Sequence, residues 1–226
     1  MKKLPLPILI AGMIIYFAVV SWSDPGNRSN ASEAAHAEGQ RIPDYETARK
    51  IFWKELYSNG GKTLYCGKKL ESGYNKGVNI EHVFPASWMA YSLRCGKRKQ
   101  CRAQSAEFNL IEADLHNLYP SRSDVNKARN NYRFAVIRGE QRSFGQCDFE
   151  FDERQRIAEP SPEARGRIAR AMLYMSDQYD LYIKKKLKSL LIDWDRKYPP
   201  EPAEYLRNDR IEQIQGNRNS FIDAHQ

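Results

Sequence analysis

Helical spacing of apolar residues marks the start of the folded part of this chain. A helix is predicted to begin at Pro43 and Asp44 and to end at Asn59-Gly60-Gly61. Its apolar face is formed by Tyr45, Ala48, Phe52 and Leu56. Such spacing is typical of an amphipathic helix that packs on a core.

The C-terminal third of the chain is predicted to be mostly helical. Ser161-Pro162-Glu163 favours a helix start, because it combines a capping residue, a proline in the first turn and an early acid. Helical patterns follow through Ile168, Ala171, Met172 and Met175, and then through Leu181, Leu187, Leu190 and Trp194 to Pro199-Pro200. A last helix is predicted near Pro202 to Gln215, with its end at Gly216.

The middle of the chain carries the few strand-like stretches. The short apolar stretches Thr63 to Cys66 and Val78 to Phe84 predict a pair of strands. A helix is expected over Ser105 to Glu112, and another near Ser121 or Ser123, capped by a hydroxyl. No internal repeat is visible. The expected fold class is therefore α+β, a single, mainly helical domain.

The first 42 residues do not share this patterning. A basic pair precedes a nearly continuous apolar run over residues 4–20, and small residues follow it, so residues 1–23 are predicted to be a signal peptide. An uncleaved membrane anchor is the alternative, but Pro5 and Pro7 shorten the usable apolar core. Residues 24–42 are polar and aperiodic and predict a flexible linker, which leaves 43–226 as the folded domain.

The charge of the chain favours polyanionic partners. The formal net charge is +8, and removal of residues 1–23 would take away Lys2 and Lys3 and lower it to +6. Basic proteins gain affinity for nucleic acid by releasing counterions from its backbone. The run of lysines at 184–186 and 188 is predicted, however, to be the solvated face of an amphipathic helix rather than a DNA-binding patch.

Four cysteines suit an exported protein in which disulfides persist. Three pairings are possible, and we favour Cys95 with Cys101, which closes a short loop, and Cys66 with Cys147, which closes a long one. A structural zinc site is the rival interpretation. No two cysteines have Cys-x-x-Cys spacing, which argues against it.

The segment Asn79-Ile80-Glu81-His82-Val83-Phe84-Pro85 places a carboxylate next to an imidazole where a strand is predicted to end. Adjacent residues on a strand face opposite ways, so Glu81 and His82 can serve one site only if the strand ends or twists there. A pair of this kind is weak evidence by itself. Downstream, however, lie Asp114-Leu115-His116-Asn117-Leu118-Tyr119-Pro120 and Asn126.

Together these segments resemble the endonuclease I family of periplasmic and secreted bacterial nucleases. The resemblance covers most of the chain after about residue 43 and implies a ββα-metal active site, made of two strands, a helix and one divalent ion. It implies a sequence-nonspecific endonuclease that cuts DNA, with RNA as a further substrate, to leave 5′-phosphates. A monomer located in the periplasm or secreted is expected, tethered to the membrane only if the N-terminal segment is not cleaved.

The resemblance also assigns roles to individual residues. Glu81 and Asn126 would hold the metal ion and His82 would be the general base. In the Cys95 to Cys101 loop, which is similar to a disulfide-closed loop of the family, Arg98 would contact the scissile phosphate. Oxygen ligands of this kind suit Mg²⁺, with Mn²⁺ or Ca²⁺ as other divalent ions. The ion would stabilise the transition state and the leaving group, while a neutral imidazole would accept a proton from the attacking water.

Other polar residues have less specific interpretations. His116 and Asn117 are expected to be structural, tying their loop to the strands, and Glu112 either supports the metal shell or forms a surface pair. Arg129 either binds a phosphate or pairs with an acid, and Arg165 is a candidate for a basic nucleic-acid-binding cleft. The competing function is a basic envelope protein that binds nucleic acid without cutting it, and such a protein would not need Glu81, His82 and Asn126 together.

Overall fold

The computed structural model describes residues 41–73, 75–139 and 142–226. The predicted signal peptide, and the predicted linker up to residue 40, lie outside these ranges. The helices are α1 (Tyr45–Ile51), α2 (Ala86–Ser92), α3 (Arg98–Gln104), α4 (Ala106–Ala113), α5 (Ser123–Arg129), α6 (Pro162–Gln178), α7 (Lys185–Lys197), α8 (Pro202–Gln215) and α9 (Ser220–Asp223). The strands are β1 (Gly61–Lys62), β2 (Lys69–Leu70), β3 (Val78–His82), β4 (Leu118–Arg122), β5 (Arg133–Phe134), β6 (Phe149–Asp152) and β7 (Ile157–Pro160). The fold is mixed α+β with helices dominant, as expected.

Two antiparallel strands and the helix that follows them form one packed unit. Strand β3 pairs with β4, with Glu81 opposite Tyr119 and His82 opposite Leu118. Helix α5 begins directly after β4 and packs on both strands. Strand β3 ends at His82. Glu81 and His82 can therefore serve one site, although adjacent residues within a strand face opposite ways.

The predicted pairing of Thr63 to Cys66 with the next apolar stretch is wrong. Residues 63–66 form a turn in which the Gly67 amide donates to the Thr63 carbonyl at 3.0 Å. Their apolar side chains are buried, but their backbone is not part of a β-ladder. Strand β3 is also shorter than predicted, ending before Val83, and its partner β4 was not predicted.

Helix boundaries follow the sequence closely, but the predicted caps do not all form. Helix α4 begins after Ser105, whose side chain accepts from the Phe108 amide at 3.1 Å. Neither Ser123 nor Ser161 caps a helix through its side chain: Arg122 precedes α5, and Ser161 makes no capping bond. The helical region after Pro162 is divided between α6 and α7, because the chain leaves the helix at residues 179–184 with Asp180 at φ 49°.

Two groups of buried apolar side chains hold these elements together. The larger surrounds α6, whose Ile168, Ala171, Met172 and Met175 are fully buried as their spacing predicted. The smaller lies between α1, the π-helical turn Phe52–Leu56 and α8, and it includes Ile42. The packed part of the chain therefore includes at least one residue of the predicted linker. No helix in the described ranges has the length and apolar content needed to cross a membrane.

The disulfides are those that we favoured. Cys66 is bonded to Cys147 and Cys95 to Cys101. The zinc interpretation fails, because none of the four thiols is free to bind a metal. In keeping with this, the described residues contain no group of three or more His, Cys, Asp or Glu side chains placed to hold a metal ion.

Gly166 allows helix α6 to pack closely against the end of α7, because glycine has no Cβ atom. A Cβ atom at this position would lie 2.1 Å from the carbonyl oxygen of Tyr198, and backbone cannot yield as a flexible side chain does. We expect Gly166→Ala to lower the free energy of unfolding by about 2 kcal/mol, although alanine favours helices by about 1 kcal/mol. Urea denaturation measures this, with Ser189→Ala, at an exposed position of α7, as the control. Equal stabilities of the two variants would contradict the packing argument.

Candidate active site

His82 is held in a defined tautomer at the end of β3. Its Nε2 lies 3.1 Å from the backbone carbonyl oxygen of Glu112. A carbonyl can only accept a hydrogen bond, so Nε2 carries the proton and Nδ1 keeps its lone pair. The ring also packs on Tyr45, with 5.0 Å between ring centroids. The imidazole is therefore oriented as a proton acceptor.

The surroundings of His82 keep its ring neutral. Burial lowers its pKa to about 3, and the nearby positive charges of Arg98, Arg102 and Arg129 act in the same direction. The hydrogen bond to the Glu112 carbonyl opposes them only in part. At neutral pH the ring is therefore unprotonated.

Glu81 is buried next to the imidazole and is fixed through one of its two oxygens. Its Oε1 accepts from the Tyr65 hydroxyl at 2.7 Å and lies 3.3 Å from Nη1 of Arg129. Burial raises the pKa of the carboxyl, whereas the Arg129 charge and the Tyr65 hydrogen bond lower it. Among the described residues, no hydrogen-bond donor contacts Oε2, so this oxygen is available to a ligand.

Asn126 projects from α5 toward the same strand. Its Nδ2 donates to Oδ1 of Asn79 at 2.9 Å and to the carbonyl of Ile80 at 3.2 Å. Both amide contacts use the nitrogen, and no described residue donates to Oδ1. One carboxylate oxygen and one amide oxygen are thus left free on neighbouring elements. This donor set fits a hard divalent cation such as Mg²⁺, which binds oxygen and keeps several waters.

Two arginines from α3 flank the imidazole. The Nε atoms of Arg98 and Arg102 donate to the two carboxylate oxygens of Glu112, the second at 2.6 Å. Their guanidinium carbons lie 5.3 Å and 4.9 Å from the centre of the Tyr45 ring. The terminal nitrogens of both arginines form no hydrogen bond with a described residue. The side chains of Arg98 and Arg102 are 45% and 35% exposed, so they can still receive an anion.

Glu112 organises this site from a fully buried position. Its backbone carbonyl holds His82, while its carboxylate holds Arg98 and Arg102. The surface-pair interpretation of this residue is therefore wrong, because its side chain is 0% exposed. It acts by positioning the groups that would meet the substrate.

Arg129 pairs with an acid instead of reaching outward. It is 1% exposed, and its terminal nitrogens donate to the backbone carbonyls of His82 at 3.3 Å and Val83 at 2.6 Å. The same guanidinium forms an ion pair with Glu81 and lies over the ring of Phe134. Of the two roles predicted for Arg129, the structure favours pairing with an acid, because a phosphate could not reach so deeply buried a group.

Asn117 ties its loop to the end of β3. Its Oδ1 accepts from the Phe84 amide at 2.6 Å and its Nδ2 donates to the Phe84 carbonyl at 3.1 Å. His116 lies on the far side of the same loop, where Nε2 donates to the carbonyl of Asn217 at 3.1 Å. These contacts are of the structural kind that the sequence suggested for both residues.

His116 should make stability depend on pH. Burial lowers its pKa to about 4, and Nδ1 has no partner among the described residues. The unfolded chain takes up a proton near pH 6.5 while the folded chain does not, so stability is complete above pH 6.5 and falls toward pH 4. We expect this residue alone to remove about 2 kcal/mol between pH 7 and pH 5. Urea denaturation at both pH values, compared with His116→Gln, measures it, and parallel losses in the two proteins would contradict it.

Arg165 contacts none of these residues. Its Nη2 lies 2.6 Å from Oε1 of Glu159, its Nε donates to the Pro160 carbonyl, and its guanidinium lies over Trp194. The group is already paired and only 16% exposed, and its role in nucleic-acid binding stays a prediction.

The sequence did not predict that Arg102, Tyr45 and Tyr65 belong to the site. Arg102 is four residues from Arg98, which would have placed them on one face had a helix been predicted at 98–104. Tyr45 was assigned to a core face, yet it packs on His82 and is only partly buried. Tyr65 had no signal of its own, since only the fold brings it to Glu81.

The site combines a neutral, oriented imidazole with two free side-chain oxygens and two partly exposed arginines. These groups suit a hydrolytic enzyme for an anionic substrate. Comparison with known sequences makes the class specific. The model of the endonuclease I family matches residues 28–226. The chain belongs to the endonuclease I family, and it is an endonuclease.

Individual relatives cover most of the chain. A periplasmic deoxyribonuclease of Aeromonas hydrophila is 40% identical over an alignment of 193 residues that covers 75% of this chain and 81% of the relative. An extracellular deoxyribonuclease of the same organism is 38% identical over an alignment of 217 residues that covers 85% of this chain and 92% of the relative. Endonuclease-1 of Buchnera aphidicola subsp. Acyrthosiphon pisum is 33% identical over an alignment of 182 residues that covers 78% of this chain and 72% of the relative.

Proposed function

We propose that this protein is a divalent-metal-dependent endonuclease that hydrolyses DNA without regard to sequence and leaves 5′-phosphates. The observation that carries the proposal is the fixed tautomer of His82 beside the free oxygens of Glu81 and Asn126. A protein that only binds nucleic acid has no use for a buried proton acceptor next to an oxygen ligand pair.

His82 acts as the general base in this proposal. Its Nδ1 accepts a proton from the attacking water, since burial and the nearby arginines keep the ring uncharged at neutral pH and leave this nitrogen with its lone pair. The Glu112 carbonyl keeps the ring oriented while the proton moves. The attack breaks the bond to the 3′ oxygen, which leaves as a hydroxyl after taking a proton from water, so the phosphate stays on the 5′ end.

Arg98 and Arg102 hold the substrate phosphate. Glu112 fixes both guanidinium groups through Nε and leaves their terminal donors for the phosphate oxygens. Contacts of this kind bind the phosphate backbone of the nucleic acid and do not depend on its base sequence. They support cleavage without sequence preference, and they also suit RNA as a further substrate.

Glu81 and Asn126 would hold the metal, with Tyr65 and Asn79 directing which oxygen of each residue is offered. Mg²⁺ is the proposed ion, and Mn²⁺ or Ca²⁺ also fit oxygen ligands. A bound ion supplies Lewis-acid stabilisation of the charge that builds on the phosphate and on the leaving oxygen.

The protein is proposed to work as a monomer in the periplasm or outside the cell. The names of the Aeromonas hydrophila relatives, one periplasmic and one extracellular, support this location. Two disulfides within one chain also suit an oxidising compartment. The apolar segment at residues 4–20 would direct export and then be removed.

Plasmid digestion by the oxidised protein tests the proposal. Supercoiled DNA should be cut with Mg²⁺ and remain intact with EDTA, and the fragments should be ligatable without prior phosphorylation because their 5′ ends carry phosphate. Fragments with 3′-phosphates would overturn the attack geometry. Salt-sensitive DNA binding without cleavage under any divalent ion would support a binding protein instead.

A further inference from the structure

A groove of about 590 Å³ lies at the end of α2, outside the site described above. One wall carries Tyr91, Arg94 and Gly96, and a second wall carries Asp180 and Tyr182 from the segment between α6 and α7. Tyr91 is 82% exposed and Tyr182 is 68% exposed. A single exposed aromatic ring needs no explanation, but two that line the same groove form a platform for flat ligands.

Within the described ranges, the two strongly exposed aromatic rings both line this groove. The large hydrophobic side chains that are strongly exposed there are Tyr91, Val136, Tyr182 and Leu206. Both aromatic members of this set line the groove, and neither aliphatic member does. A ring gives a base a face to stack on, which an aliphatic side chain does not.

The charge around the groove suits a polyanion. Between Val83 and Ala106 the chain has five cationic residues and no acid. Of these, Arg94, Lys97 and Lys99 are exposed, and no carboxylate of the described residues lies within ion-pair distance of them. The arginines at positions 49, 122, 165 and 218, in contrast, are all paired with acids. Asp180 is the acid among the residues that line the groove.

The second wall adds a further cation. Residues 181–184 are not helical, and burial alternates along them: Leu181 and Ile183 are buried, while Tyr182 and Lys184 are exposed. In an extended segment, residues two apart face the same side. Lys184 therefore accompanies Tyr182 on the exposed side and is not part of the solvated face of α7, to which the sequence assigned it.

The groove is connected to the proposed catalytic site through the disulfide loop. Gly96 lines the groove, and Arg98, which we propose to hold the scissile phosphate, follows two residues later. Two residues span at most about 7 Å of chain. A strand with a phosphate on Arg98 is thus close enough for its neighbouring nucleotides to enter the groove.

We propose that this groove binds the unpaired nucleic-acid strand that flanks the cut, with bases stacked on Tyr91 and Tyr182. Arg94, Lys97 and Lys184 supply positive charge to the backbone of this strand. The inference rests on the proposed function, because it takes the phosphate on Arg98 as its starting point. Stacking needs bases that are not paired in a duplex and is indifferent to the sugar, so the groove favours single-stranded substrates, both DNA and RNA.

Binding without cleavage tests the groove separately from the catalytic proposal. A fluorescently labelled single-stranded 12-nucleotide DNA and a duplex of the same sequence are titrated with the protein in EDTA, and anisotropy gives each Kd. We expect Tyr91→Ala and Tyr182→Ala each to weaken single-strand binding about fivefold, with duplex binding changed less than twofold. Tyr91→Trp and Tyr182→Trp keep a stacking face and should restore single-strand affinity. Leu206→Ala, which removes an exposed side chain outside the groove, is the matched control.

The outcomes separate stacking from its alternatives. Single-strand affinity that is lost in the alanine variants and restored by tryptophan supports the groove, even if the protein proves unable to cut. Unchanged single-strand affinity overturns the proposal, and so does an equal loss on single strands and duplexes. Failure of tryptophan to restore binding overturns it as well. Thermal unfolding of each variant, expected to match the wild type because both rings are exposed, guards against misfolding.

Discussion

Replacing His82 with alanine is expected to lower the rate of DNA cleavage by about a thousandfold or more while leaving DNA affinity within a few fold of the wild type. General bases contribute about 10² to 10⁴ in rate. The upper part of that range is expected here because no other imidazole lies beside Glu81 among the described residues. Initial rates of plasmid nicking in Mg²⁺ give the first quantity, and anisotropy in EDTA gives the second.

The fold must be controlled, because His82 is buried. Alanine would leave the Glu112 carbonyl without its donor and open space beside Tyr45. His82→Gln offers an amide donor to the carbonyl but has no basic nitrogen, so it should fold better and still be inactive. His225→Ala is the matched control: this histidine pairs with Asp195, away from the site, and its loss should leave cleavage unchanged.

Either of two results would remove His82 from its assigned role. A His82→Gln variant that folds and cuts within tenfold of the wild type would show that another group takes the proton. A loss of cleavage explained entirely by lost DNA affinity would make the residue a binding group instead. The pattern expected here is a fall in kcat with binding preserved.

The sequence predicted those features that depend on neighbouring residues. Apolar spacing predicted α6, and proline and glycine predicted both ends of α8. The adjacent Glu81 and His82 indicated a site, because these two residue types carry chemistry whether or not the strand is known. The resemblance to a family then supplied Asn126 and Arg98, which no local pattern would have connected to them.

What the sequence did not predict depends on contacts between distant parts of the chain. Strand β4 contains Pro120, which cannot donate to a ladder and therefore argues against a strand, yet its carbonyl accepts from Leu64 at 2.8 Å. Tyr65 reaches Glu81 only because a turn folds over the strand pair. Arg129 was assigned as readily to a phosphate as to an acid, and only its burial decides between them.

Glu81 is buried, as Arg129 is. We therefore expect substitution of Glu81 to have a larger effect than substitution of Asn126, the other proposed metal ligand. Glu81→Gln keeps an oxygen that can accept from Tyr65 and Arg129, so the local geometry should persist. The substitution removes the only carboxylate of the proposed ligand pair and leaves the buried Arg129 without its opposite charge. We expect the affinity for a divalent ion to fall by about a hundredfold or more, since even residues that only orient metal ligands change it 10- to 100-fold.

Binding of Mn²⁺, measured by electron paramagnetic resonance of the free ion without DNA, reads this loss independently of cleavage. Cleavage at a fixed, low Mg²⁺ concentration should fall with it and recover in part as Mg²⁺ is raised, which a misfolded protein would not do. Glu159→Gln is the matched control, because Glu159 also pairs with an arginine but lies outside the site. If Glu81→Gln bound Mn²⁺ as the wild type does, the free Oε2 would not be a ligand. Another residue would then have to supply the second metal ligand beside the oxygen of Asn126.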